Sequence, residues 1–226
     1  MLTMAFGFAV RAGLAAPTEA WLPAIAVPST LAALILTFGP VSGGHFNPLI
    51  TASQWWSGQR DTCCLAGYFA AQLLGAAVGA ALVSLVAPST PPHVPAPLHL
   101  VLAGEFFATS GLMTIVLTAS RVMRPAVGPF AVSGWLVMVG LATPGAPLAN
   151  PALALALAIA EGPVNPLELI ARVGMQMAGA MTALVVVAIV YPRSRQASAQ
   201  SVAVDRAFSK SPERRGAEAE PERVVR

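Results

Sequence analysis

The residues with chemistry to offer in this chain are two asparagines. Asn47 closes the stretch Ser42-Gly43-Gly44-His45-Phe46-Asn47-Pro48, and Asn150 closes Gly145-Ala146-Pro147-Leu148-Ala149-Asn150-Pro151, 103 positions further on. A carboxamide neither ionises nor attacks; it donates two N–H groups and accepts through one oxygen. Two carboxamides aimed at one point hold a neutral molecule by hydrogen bonds and leave it unchanged. No nucleophile with a nearby base and no acid–base pair lies in the apolar part of the chain, so enzymatic chemistry is the weakest reading.

Each Asn-Pro step has a plain local use. Asn caps helices and Pro suits the first helical position, where its missing N–H has no partner to lose. Asn165-Pro166 is such a cap, with no further role assigned to it. The other two differ in leading into short apolar runs, which end at about Ser57 and Ala160. About ten residues of helix reach roughly 15 Å, half a bilayer. Non-helical backbone at that depth is tolerated only where protein buries it or where it lines a wet cavity. Two half-helices entering from opposite faces would meet at their N-termini, with their positive dipole ends converging at the midplane. That arrangement lets two amides donate to a passing neutral molecule and repels cations, protons included.

The rest of the chain has the composition to position such loops. Of its 226 residues, 56% are hydrophobic and 10% charged, whereas soluble domains carry about a quarter charged. This predicts an all-α membrane protein. Clear spans are Trp21–Val41, Cys63–Ala87, Leu98–Ser120, Val127–Thr143 and the stretch from Asn165-Pro166 to Tyr191. Met1–Leu14 is apolar, but at ~1.5 Å per residue it falls short of a bilayer, and it has neither a basic start nor a cleavage site of a signal peptide. Arg60, Arg121, Arg124, Arg193 and Arg195 fall on one side of these spans, with Glu19, Glu161 and Glu168 opposite; Arg11 and Arg172 are exceptions. The positive-inside rule then puts both termini in the cytoplasm and makes Met1–Leu14 a sixth crossing. Beyond Pro192 lie eight of the thirteen basic residues and five of the ten acids. That mixture predicts a disordered tail, 193–226, and its acids and near-absence of aromatics argue against nucleic acid. Cys63 and Cys64 are adjacent, with no metal-ligand spacing around them, so no metal, cofactor or disulfide is expected. Trp55 and Trp56 suit packing or interface anchoring.

The two halves repeat. Asn47 matches Asn150, and Gln72 and Gly75 match Gln176 and Gly179, at offsets of 103 and 104. Three spans separate equivalent points, so the second half is inverted, and such repeats put a site at their interface. The expected channel domain is 1–192, with repeats 1–87 and 98–192. Glu105-x-x-x-Thr109-x-x-Leu112 opens the second half; with Thr109 paired to Thr3, an offset of 106, the partner of Glu105 falls before Met1. The expectation is a first helix lacking its start, through a misassigned start codon or as a shortened variant.

The paired loops, with Asn150-Pro151-Ala152 and the Glu105/Thr109 helix, resemble those of the aquaporin and glycerol-facilitator (major intrinsic protein) family, from about Thr3 to Tyr191. The resemblance implies an aquaporin-like inverted repeat of six transmembrane helices, the first truncated here, plus two half-helices meeting at the midplane. It also implies a homotetramer with one pore per subunit, set in a bacterial inner membrane and conducting small neutral solutes. By the same resemblance the pore loops are Asn47, Pro48, Leu49 and Asn150, Pro151, Ala152. Glu105 accepts hydrogen bonds from the second loop, and His45 either lines the pore mouth or bonds the loop. The constriction positions become Val27, Met138, Pro147 and Leu153. Two departures stand out: Leu49 replaces a usual Ala, and Leu153 stands where most members have an arginine. An aliphatic constriction favours larger or less polar neutral solutes, such as glycerol-like polyols or undissociated metalloid acids (arsenous acid among them). The competing readings are a non-conducting or regulatory relative and, less supported, a secondary transporter.

Overall fold

The computed structural model describes residues 21–86, 96–122, 126–145, 147–161 and 165–192. Met1–Leu14 and the tail from 193, with the expectations attached to them, lie outside these. Among the described residues every regular element is helical: α1 (Trp21–Ser42), α2 (Pro48–Trp56), α3 (Thr62–Val86), α4 (Leu98–Val122), α5 (Val127–Ala142), α6 (Pro151–Glu161) and α7 (Pro166–Val190). The chain divides into two compact units at Val185/Val186, and the site described below lies wholly in the first.

Among the described residues, four helices are long and apolar enough to cross a membrane: α1, α3, α4 and α7. At 16 residues α5 is apolar but shorter, about 24 Å at ~1.5 Å per residue. Their outward faces are apolar too: Leu74, Leu85, Phe107, Phe130 and Ile170 are all more than 60% exposed. Water does not tolerate such surfaces over every helix, and hydrocarbon does. The protein is a multi-pass membrane protein.

The inverted repeat is visible in the element lengths. Both α3 and α7 contain 25 residues and start 104 positions apart, and each follows a short helix. The packing repeats likewise. α3 lays Ala76 and Ala80 against Ala152 and Ala156 of α6, while α7 lays Ala180 and Ala183 against Ile50 of α2, with Met113 of α4 completing that cluster. Small side chains let membrane helices approach closely, which supplies the dispersion contact that lipid does not. Glycines do the same at two crossings. A Cβ on Gly179 would come 2.6 Å from the Phe106 carbonyl oxygen of α4, and one on Gly140 would come 3.2 Å from Ala24 of α1. Between α4 and α5 the Trp135 indole donates to the Ala108 carbonyl at 2.9 Å, satisfying its one polar atom inside an apolar contact. At the far end of α2, Trp56 is 73% exposed and stands edge-on to Trp55.

Candidate functional site

The two Asn-Pro loops meet, and they meet through the asparagines. Asn47 caps α2: its Oδ1 accepts from the Leu49 N–H at 3.0 Å, and its own backbone is extended. Asn150 caps α6 in the same way, accepting from the Ala152 N–H at 3.0 Å. The amide nitrogens then cross over. Asn47 Nδ2 donates to the Ala149 carbonyl at 2.8 Å, and Asn150 Nδ2 donates to the Phe46 carbonyl at 2.8 Å. Each loop is thus tied by its asparagine to the carbonyl just before the other's. Those two carbonyls are turned out by unusual backbone: Phe46 has φ 46° and Ala149 φ 50°. Non-glycine residues enter that left-handed region at a cost of about 1–2 kcal/mol each. The reciprocal hydrogen bonds are what offsets it. By contrast Asn165 accepts from Leu167 at 3.0 Å, lies exposed, and reaches across to nothing among the described residues.

Behind the second loop stands Glu105 of α4, wholly buried. Its carboxylate accepts from the Leu148 N–H at 3.2 Å, the Ala149 N–H at 3.0 Å and Gln176 Nε2 at 2.9 Å. Arg172 Nη1 lies 3.7 Å from it. A buried carboxylate is tolerable only with its lone pairs answered and its charge paired, and here both conditions hold.

Before the first loop, the His45 Nδ1 lies 3.1 Å from Thr51 Oγ1, which also accepts from Gln72 Nε2 at 3.0 Å. The ring is tilted against Tyr68 with centroids 5.0 Å apart. Its Nε2 is buried and unbonded among the described residues. His45 lies between the spanning helices. Burial, and then the nearby Arg60 guanidinium, lower its pKa to about 4, against an opposing contribution from Gln54. The imidazole is therefore neutral at ordinary pH.

A cavity of about 580 Å³ runs along this junction. It is walled mainly by aliphatic side chains of α1, α4 and α5, with Asn47, Asn150 and His45 supplying polar atoms, and Gln54 and Leu153 are also among its lining. Pro48 is buried at the tip of α2, and Pro151 starts α6. Leu49 packs on the Ile50–Met113 cluster, and Ala152 is enclosed by Ala76 and Ala80. The two box positions therefore face differently filled neighbours.

The four expected constriction positions are not brought together equally. Leu153 is 3% exposed and clusters with Leu31, Val132 and Val139; Val27 packs on the same cluster. Met138 is 46% exposed and lines no part of the cavity, whereas Val139, one residue on, is buried. Pro147 lies against Gly104 of α4. Of the four, Leu153 lines the cavity. Sequence reasoning passed over two participants, Arg172 and Thr51. The spacing Glu168-x-x-x-Arg172-x-x-x-Gln176, one face of a helix ending at a residue already singled out by the repeat, was the available signal for the first. Cys63 and Cys64 are free, and among the described residues no cluster of His, Cys, Asp and Glu could hold a metal ion.

Against known proteins, the model of the family described as "Major intrinsic protein" matches residues 1–143. Aquaglyceroporin AqpS of Rhizobium meliloti (strain 1021) is 32% identical over 165 residues, 71% of this chain and 70% of that protein. Aquaporin-8 of Rattus norvegicus is 41% identical over 66 residues, 29% of this chain. An aquaglyceroporin of Toxoplasma gondii is 41% identical over 73 residues, 32% of this chain. The matched region spans only 25% and 28% of the length of these last two proteins.

Proposed function

The chain belongs to the major intrinsic protein family, and on that premise we propose that it forms a passive channel for small neutral solutes: water, glycerol-like polyols or undissociated metalloid acids such as arsenous acid. The observation that carries this reading is the reciprocal asparagine bridge at the wall of an apolar cavity. One N–H of each carboxamide goes to the opposite loop. The second N–H of each remains for an oxygen atom in transit. Two helix N-termini point at the same place and disfavour a cation there. No residue of the passage changes charge or forms a covalent bond, so transport follows the solute's own gradient.

The aliphatic wall supports the preference for solutes larger or less polar than water. Leu31, Val132 and Leu153 line the cavity and offer no hydrogen bond to a molecule stripped of its shell, so a solute with its own carbon or metalloid framework loses less there than water does. Assembly as a homotetramer, insertion in a bacterial inner membrane with both termini cytoplasmic, a channel domain of 1–192 and a loop-supporting role for Glu105 belong to the same proposal. One observation favours a second reading. Leu31, Val139 and Leu153 form one buried apolar cluster, which would keep a non-conducting relative dry.

The test is reconstitution in liposomes with stopped-flow measurement of water, glycerol and arsenous-acid entry. Solute entry that rises linearly with its gradient is the expected result. Fast water flux without solute flux refutes the substrate assignment. Saturable uptake driven by an ion gradient refutes the channel, and silence toward every solute favours the non-conducting reading.

A further inference from the structure

Among the described residues, Arg172 is the basic residue that loop charge leaves unexplained, since it falls beside Glu161 and Glu168 rather than with the other arginines. The structure gives it a task. Glu168, Arg172 and Gln176 succeed one another at intervals of four on α7, which stacks them on one face. Arg172 Nε and Nη2 donate to Glu168 Oε1 at 3.1 and 2.9 Å, which fixes the guanidinium plane. Its Nη1 then lies 3.7 Å from Glu105 Oε1. The Arg172 side chain is 20% exposed and that of Glu105 is 0%. Leu148 N–H is shared between both Glu105 oxygens at 3.2 Å, while Ala149 and Gln176 donate to Oε2. Leu148 and Ala149 run directly into Asn150, and the Ala149 carbonyl is the one that Asn47 grips.

We propose that Arg172 is a positioning residue of the pore. It keeps Glu105 seated behind the second loop, and through that loop it holds both asparagine amides at the junction, while Glu168 orients the guanidinium. The role rests on the chain being a channel.

The test uses the full chain in liposomes, with glycerol entry normalised to monodisperse protein, for wild type, Arg172→Lys, Arg172→Gln and the double variant Glu105→Gln/Arg172→Gln. Removing one partner of a buried pair leaves an uncompensated charge, whereas removing both does not. Arg172→Gln is therefore expected to lose about tenfold or more in flux, with Arg172→Lys within about threefold of wild type and the double variant above Arg172→Gln. Wild-type flux from Arg172→Gln overturns the proposal, as does a double variant or a lysine variant no better than Arg172→Gln. If Arg172→Gln does not fold, a folded and conducting double variant supports the pairing, and a double variant that also fails to fold overturns it. A silent wild type sinks the channel reading instead. The thermal midpoints of the four proteins, read for the same order, still decide the role of Arg172.

Discussion

Replacing Asn47 with Asp changes an NH2 for an oxygen and little else, so it isolates the contact between the half-helices. The Oδ1 cap on the Leu49 N–H survives. The 2.8 Å donation to the Ala149 carbonyl does not, and two acceptors are left facing each other. A lost hydrogen bond costs about 1 kcal/mol, and a buried carbonyl left unanswered costs about 1–3 more. A carboxylate at a helix N-terminus returns about 0.3–1 kcal/mol. The net expectation is a loss of about 1–4 kcal/mol, or roughly 2–16 °C in thermal midpoint for a chain of this size. Asn165 provides the internal control. It caps α7 with the same geometry, Oδ1 to Leu167 N–H at 3.0 Å, but is exposed. Asn165→Asp should stay within about 0.5 kcal/mol of wild type. The assays are thermal unfolding in detergent and, in liposomes, cation leak beside glycerol entry. Asn47→Asp should place a negative charge where two positive helix ends meet, and so raise the leak of small cations. Acidification should narrow its deficit, because a protonated Asp donates again. Equal midpoints for the two variants, with no change in leak, would show that the crossed amides do not hold the junction.

Three further outcomes are expected. Leu153→Arg puts a charge into the cluster of Leu31, Val132 and Val139; glycerol entry should fall at least about tenfold while water entry persists, both read by stopped flow. Gly179→Val drives a methyl-bearing carbon toward the Phe106 carbonyl, 2.6 Å from the added Cβ. That should cost about 3 kcal/mol or more in unfolding, whereas Gly174→Ala, with open space around it, should be neutral or gain up to about 1 kcal/mol. The His45 imidazole takes up its proton near 6.5 when unfolded and near about 4 when folded. The unfolded state therefore binds more protons between those values, and the stability present above pH 6.5 is lost as pH falls toward 4. Thermal midpoints against pH should fall more steeply for wild type than for His45→Asn, and glycerol entry should not change between pH 6.5 and 8.

The half-helices were legible because their signals are local: an Asn-Pro cap, an apolar run and its length. The structure starts α2 and α6 at Pro48 and Pro151, where those signals put them. The repeat was legible because α3 and α7 carry Gln72 and Gln176 at matching places. Other features lie where sequence has no marker. α5 is apolar all round, so no polar face fixes its rotation in the sequence. The left-handed turns at Phe46 and Ala149 fall on residues that do not favour them; a partner about a hundred residues away imposes them. Arg172 was set aside as an exception to loop charge, because that rule counts charges by side of the membrane and cannot see a pairing with a buried carboxylate on another helix.

Phe46 and Asn150 stand 104 positions apart, Asn47 and Ala149 102. A ribosome adding about 5–20 residues per second takes roughly 5–20 s to cover that interval. Throughout it the Phe46 carbonyl and the Asn47 amide have no chain-mate, and in hydrocarbon each such orphan costs several kcal/mol. The nascent first repeat must therefore keep its loop hydrated or sheltered by the insertion machinery, and the two crossed hydrogen bonds form together in one late event.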